Sequence, residues 1–175
     1  RGGFVSTSNV DGLFQRAGVP EDRGYVGHGA IAWLQCTRSC GVGVVPAPGD
    51  DVRLDPATMR AVPPLPACPG CGALARPAIL MFGDAEWDPA RTAAQGARLQ
   101  AWLDDLDPGR LVVVECGAGT AVPTVRHFGE RLARAGATLV RVNPREGWGP
   151  PGTITIARGA LAALRDLDLT LAAAG

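Results

Sequence analysis

Two kinds of apolar spacing alternate along this chain. Residues 4–7, "FVST", read as a strand, and residues 12–18 as a short helix closed by Gly18 and Pro20. After a long interval "PAILMFG" (77–83) reads as a buried strand. The stretch 89–105 carries Leu99, Trp102 and Leu103, with Leu106 just beyond, near one face of an amphipathic helix. "RLVVVECGAG" (110–119) is an unbroken apolar run ending in a glycine turn, the pattern of a parallel strand covered on both faces. A helix over 121–135, a strand over 138–143, a short strand over 153–157 and a closing helix over 158–173 follow. Strands alternating with helices predict an α/β fold, a parallel sheet with helices on both faces.

Residues 36–72 interrupt this alternation. They are Pro-rich, show little periodicity and hold four of the five cysteines. The predicted organisation is therefore a Rossmann-like domain formed by 1–35 and 73–175, with a small module over 36–72. At 175 residues the chain suits one domain with such an insert. It begins at Arg1 without Met and already inside a predicted strand, so we expect an N-terminal part to be missing.

Charge narrows the field of partners. Seventeen basic residues balance seventeen acidic ones, so no excess invites nucleic acid or a membrane surface. Every basic residue is Arg, a compositional bias that gives any single arginine little weight. No run approaches the ~18 apolar residues of a membrane span, and no leader is visible, so a cytoplasmic protein is expected.

The cysteines carry the firmest local chemistry. Cys36 and Cys40 form C-x3-C, Cys68 and Cys71 form "CPGC", and 27 residues separate the pairs. Four thiolates can hold a tetrahedral Zn²⁺, and a loop-rich segment gains its fold from such binding. With all four positions filled by sulfur, that site is structural. Two disulfides are the alternative, disfavoured in a reducing compartment. Cys116, at the end of a predicted buried strand, reads as a small apolar core residue.

Of the two histidines, His127 lies among charged residues in a predicted helix and reads as solvated. His28, in "YVGHGAI", is flanked by glycines that permit close approach of a substrate. Imidazole titrates near neutrality, so His28 is the best available general base, with an ordinary loop histidine as the alternative. "STSNVDGLFQRAG" (6–18) places Asn9 and Asp11 where a strand stops. Strand ends of open α/β sheets are where ligands sit. An Asx turn, in which these side chains merely cap the following backbone, explains the same residues.

Together these segments resemble the sirtuin family. "TSNVDGL…RAG" resembles its T-Q-N-hydrophobic-D-G-L-H-x-x-A-G motif, and "HG" eight residues before a cysteine resembles its catalytic histidine ahead of a zinc module. "CPGCGALARPAILMFGD" resembles the second cysteine pair leading through L-R-P and an apolar strand to F-G-E. "VVVECGAG" and "VRVN" resemble the strand ending in G-T-S and the later strand ending in Asn. Order and spacing agree over essentially the whole chain.

The resemblance implies an NAD-dependent protein lysine deacylase, which transfers the acyl group to ADP-ribose and releases nicotinamide. It implies His28 as the catalytic base, Asn9 as a residue positioning the ribose or a water, and Asp11 as the holder of the nicotinamide carboxamide, with Ser8 beside them at the cofactor. Gly117, Ala118 and Gly119 would meet the nucleotide at the G-T-S positions, and Asn143 its adenosine ribose. Gly119, Thr120 and Ala121 match the letters of that motif better, but the first register keeps a glycine at the strand end, where backbone meets a ligand. The strand from Ile79 through Met81 and Phe82 to Gly83 would pair with a peptide carrying an acylated lysine.

Departures are equally specific. Ser8 stands for Gln, Phe14 for His and Asp84 for Glu, and the G-T-S hydroxyls are altered. No G-A-G-x-S loop precedes Arg1, so most of the pyrophosphate cradle is expected to lie outside this sequence. The other functions compatible with these residues are a mono-ADP-ribosyltransferase using the same site, or a non-catalytic binding protein that keeps the fold and the zinc module.

Overall fold

Residues 2–49 and 52–174 are described by the computed structural model, the side chain of Ala174 excepted. Arg1, Asp50, Asp51 and Gly175, which fall inside the expected domain ranges, lie outside the described residues. The chain divides into two compact units, 1–102 and 103–175.

In the first unit β1 (Val5–Thr7) pairs in parallel with β2 (Gly24–Val26), Val5 opposite Gly24 and Thr7 opposite Val26. Between them α1 spans only Leu13–Arg16, shorter than the 12–18 predicted. Gly12 (φ 69°) and Gly18 (φ 91°) take left-handed conformations at its two ends, and a chain that turns that way cannot continue a right-handed helix.

β3 (Gly29–Cys36) was not anticipated. It is the central strand of an antiparallel sheet, between β4 (Val44–Pro46) and β7 (Ala75–Ile79). A small hairpin of β5 (Leu54–Asp55) and β6 (Arg60–Ala61) lies between β4 and β7 in sequence. The predicted strand over 77–83 is corrected at both ends. It starts at Ala75 and stops at Ile79, beyond which Leu80 bonds the His28 carbonyl at the start of a turn and Met81 and Phe82 are exposed, Phe82 to 96%.

Helix α2 (Ala90–Asp104) matches the predicted span and turns the predicted face inward, Leu99 buried and Trp102 and Leu103 half-buried, and the same stripe continues through two polar residues. Its buried residues are Thr92, Gln95 and Leu99. The polar pair completes the backbone of β2: Val26 donates its N–H to Gln95 Oε1 (3.0 Å), and Thr92 Oγ1 donates to the Val26 carbonyl (3.2 Å). Unpaired strand groups are costly when buried, so the helix supplies in side chains what a further strand would supply in backbone. Trp102 meets Phe4 at 5.6 Å between ring centres.

The second unit is built on a parallel sheet in the order β10 (Ile154–Ile156), β9 (Thr138–Val142), β8 (Val112–Cys116). Leu139 and Val142 of the central strand are fully buried. α3 (Thr124–Arg134) packs on β8 and β9, and α4 (Ala160–Ala174) closes the chain. α3 approaches closely at Gly129, where a Cβ would lie 3.0 Å from Glu115 Oε2 and 3.5 Å from Leu139. Cover on both faces of β8 is not what this chain shows. Glu115 is buried, while Val112 (58%) and Val114 (49%) stay exposed. Cys116 is likewise exposed rather than a core residue, since it sits on the same open face.

Candidate active site

Three backbone hydrogen bonds gather the predicted residues of the first unit. Gly27 N–H donates to the Thr7 carbonyl (2.8 Å) and Ile31 N–H to the Val10 carbonyl (2.9 Å). The loop bearing Ser8, Asn9 and Asp11 is thereby fixed along the His28 turn. On the other side Leu80 N–H donates to the His28 carbonyl (2.9 Å), which fixes the start of the Leu80–Gly83 segment beside the same histidine. Gly29 makes the approach possible. Its φ is 78°, and a Cβ there would stand 1.9 Å from the Ala78 carbonyl oxygen. Only a residue without a side chain fits, so the glycine after His28 is required by packing against β7 as well as by its backbone angle.

The side chains in this cluster are not equivalent. Asp11 accepts the Leu13 N–H through Oδ1 (2.9 Å), so the Asx-turn reading is correct for that oxygen, and Oδ2 remains for another partner. Asn9 is exposed, and its backbone N–H donates to Thr7 Oγ1 (3.0 Å). Among the described residues no hydrogen bond to the Asn9 amide or to the half-buried His28 imidazole is formed. Past Ile79 the chain turns over Gly83 (φ 71°), and Asp84 receives Arg76 on both carboxylate oxygens at 2.8 Å. β7 is an edge strand of its sheet, so a further strand can add there.

The four cysteines converge. Cys36 Sγ lies 3.6 Å from Cys71 Sγ, Cys40 Sγ lies 3.5 Å from Cys68 Sγ, and all four sulfurs fall within 4.8 Å of one another. These separations are too long for disulfides and near the ~3.8 Å that four sulfurs ~2.3 Å from a tetrahedral ion must keep. The donor set therefore fits a structural metal ion. Cys36 and Cys68 are buried, and Cys40 and Cys71 close the cluster from outside. The thiols do not titrate alike. Backbone N–H groups of Cys40 and Arg38 lower Cys36 to about 6. A backbone bond from Val42 favours the Cys40 thiolate, but the Cys68 thiol, burial and the other two sulfurs outweigh it and push Cys40 up to about 12. Crowded thiolates of this kind need a cation to ionise together.

In the second unit the residues predicted to meet a nucleotide also converge. Gly117 (φ 68°) donates its N–H to the Val142 carbonyl (3.0 Å), and a Cβ on it would meet nothing within 4 Å, so the turn at the end of β8 borders open space. Asn143 is buried. Its Nδ2 donates to the Ala118 carbonyl (3.3 Å), and its Oδ1 accepts the N–H groups of Arg145 (3.0 Å) and Glu146 (2.9 Å). Asn143 thus ties the glycine turn to the loop after β9. Thr120 Oγ1 adds a bond to Glu146 Oε1 (2.6 Å) across the same gap.

Beneath this turn lies a charge network that sequence reasoning missed. Arg141, fully buried, meets Glu115 through Nε (2.5 Å) and Nη2 (2.9 Å), and its Nη1 reaches Glu130 (3.1 Å) and the Trp148 carbonyl. Arg126, also buried, donates to the carbonyls of Ala118 (3.3 Å), Glu146 (3.0 Å) and Trp148 (2.5 Å). Desolvation works against the Glu130 carboxylate, but Arg141, Arg126 and Arg134 prevail and hold its pKa below the ordinary range. A signal for the central pair was present. "VVVEC" and "TLVRV" each carry one charge in an apolar strand, and Glu115 stands opposite Arg141 in the β8–β9 register.

A parallel sheet with a glycine turn at the end of one strand, and a separate four-cysteine cluster on an antiparallel sheet, define a Rossmann-like α/β protein with a candidate metal module. The chain belongs to the Sir2 family, whose model matches residues 3–143. An NAD-dependent protein deacylase of Methylococcus capsulatus is 32% identical over 144 residues, covering 80% of this chain and 49% of that protein. NAD-dependent protein deacetylase 2 of Streptomyces coelicolor is 34% identical over 139 residues, covering 79% and 51%. A probable bifunctional ADP-ribose hydrolase/ADP-ribosyltransferase of Fusarium oxysporum is 30% identical over 131 residues, covering 70% of this chain and 22% of that one. The chain thus spans about half the length of the deacylase relatives. Its fold matches a Sir2 homolog–NAD complex with a TM-score of 0.62 at 21% identity, over 98% of this chain and 59% of that structure.

Proposed function

We propose that this chain is part of an NAD-dependent protein lysine deacylase and carries the site at which the acyl group leaves lysine. The observation that supports it most is the clamping of His28 between the Asn9–Asp11 loop and the end of β7 by three backbone hydrogen bonds. A base, two polar side chains and a strand edge for a peptide are thereby set side by side. NAD, when bound, supplies the ribose carbon that accepts the acyl oxygen as nicotinamide departs. His28 is free of hydrogen-bond partners among the described residues and takes the proton of a ribose hydroxyl. Asn9 orients that ribose or a water, with Ser8 beside it. Asp11 offers its Oδ2 to the nicotinamide carboxamide while Oδ1 keeps the turn. Backbone groups from Ile79 through Met81 and Phe82 to Gly83 hold the peptide flanking the acylated lysine, as an added strand would. Gly117, Ala118 and Gly119 let backbone approach the nucleotide, and Asn143 keeps one Nδ2 hydrogen for its ribose.

We further assign Cys36, Cys40, Cys68 and Cys71 to one structural Zn²⁺, with 36–72 as its module and 1–35 plus 73–175 as the nucleotide-binding part. A cytoplasmic location suits thiols kept reduced as metal ligands. No helix among the described residues is long and apolar enough to cross a membrane. A second reading, mono-ADP-ribosyl transfer at the same site, draws on the similarity to the Fusarium protein. Incubating the protein that contains this chain with NAD and an acetylated peptide separates the two. Deacylated peptide and nicotinamide in equal amounts support the first reading. A peptide or protein gaining ADP-ribose, with the acyl group untouched, replaces it by the second.

A further inference from the structure

The loop after β9 holds a large aromatic ring in the open. Trp148 is 61% exposed, yet its residue is among the most firmly held of the second unit. Its carbonyl accepts from both buried arginines, Arg126 and Arg141. The neighbouring backbone is equally fixed: Asn143 Oδ1 takes the N–H groups of Arg145 and Glu146, and Thr155 Oγ1 donates to the Gly147 carbonyl (2.7 Å). At Gly149 a Cβ would stand 2.6 Å from Thr153 Oγ1, so the chain there is pressed against β10's approach. The guanidinium of Arg126 lies 5.0 Å from the centre of the indole and occupies one side of it. That same guanidinium reaches the carbonyl of Ala118, so the ring stands next to the glycine turn. An indole left this exposed gains little from burial, and the loop's fixation comes from backbone carbonyls rather than from the ring. What the arrangement supplies is a flat, rigid π surface at the carboxyl ends of parallel strands, where a nucleotide's base would lie if its ribose sat at Asn143.

We propose that Trp148 is an adenine-stacking residue: its indole, backed by Arg126, receives the base of the bound dinucleotide. The inference rests on the reading of the Gly117–Gly119 turn and Asn143 as a nucleotide site. Stacking on an aromatic side chain needs only a π face from the base, so it secures the adenine without reading its edges.

ADP-ribose is the probe, titrated by calorimetry and by tryptophan fluorescence into the protein that contains this chain and into its Trp148→Ala and Trp148→Phe variants, with melting temperatures as the fold control. Trp148→Ala should weaken ADP-ribose binding by about ten- to a hundredfold. Trp148→Phe should keep most of the affinity but lose the fluorescence change that ADP-ribose produces in the wild type. Wild-type affinity in Trp148→Ala overturns the assignment. So does an undiminished fluorescence response in Trp148→Phe, which stays informative even where the alanine variant does not fold. A wild-type protein that binds no ADP-ribose at all defeats the nucleotide reading itself, and the stacking role with it.

Discussion

Single residues carry more of this structure than their types announce. Gly29 is one. Its left-handed backbone and the Ala78 carbonyl at 1.9 Å from a would-be Cβ make Gly29→Ala doubly unfavourable. The conformation alone costs ~1–3 kcal/mol in a residue with a side chain, and the clash forces β3 away from β7 as well. Gly83, at φ 71° with nothing within 4 Å, is the matched control, since alanine there meets only the conformational cost. Chemical denaturation should rank the variants wild type, Gly83→Ala, Gly29→Ala in falling stability, and equal losses at the two glycines would contradict the packing argument. Arg141 is the other instructive residue. In a chain whose seventeen basic residues are all arginine, residue type gives Arg141 little weight, although its position inside an apolar strand signifies burial opposite Glu115. Glu115→Gln leaves a buried guanidinium partly unpaired. Removing one member of such a pair costs ~3–5 kcal/mol, so unfolding should show a loss of that order, and a loss under ~1 kcal/mol would mean that Glu130 alone satisfies Arg141.

At the scale of elements, legibility followed periodicity. α2, α3, β8, β9 and β10 each carry enough apolar repeat to be placed within a few residues. β3 is hidden in the sequence, because "GAIAWLQC" begins at a glycine turn and merges with the cysteine segment, and the apolar run of its partner strand over 75–79 continues past the strand's end toward Gly83. The pairing that sets these ends is long-range, from Cys36 with Ala75 to Gly29 with Ile79, and local pattern does not contain it. The cysteine module was legible by contrast, since thiol count and spacing encode geometry directly. Purified protein should contain one zinc per chain, and Cys68→Ser should lose both the zinc and cooperative folding of the module. Metal analysis and melting of the two proteins check this. A zinc-free wild type, or an undiminished Cys68→Ser protein, would show that the sulfur cluster has another purpose.

At the scale of the whole molecule, the two units divide the candidate chemistry. The His28 cluster and the peptide edge lie in the first unit, and the glycine turn with Asn143 lies in the second. Motif order names the candidate residues, but the network around them, Arg126 and Arg141 under the glycine turn and Gln95 beneath β2, was not legible, because it uses ordinary polar residues whose meaning lies in burial. Exposed Val112 and Val114 on β8 mark where apolar surface stays open in this chain. The central claim is that His28 is the base. The most direct measurement is turnover of an acetylated peptide with NAD by the protein containing this chain and by its His28→Ala variant, expressed per folded molecule and accompanied by NAD affinity and melting temperature. A general base contributes ~10²–10⁴-fold, so the variant should lose turnover by about that factor while its NAD affinity and melting temperature stay near wild type. A His28→Ala protein that melts earlier yet turns over peptide at the wild-type rate would contradict it.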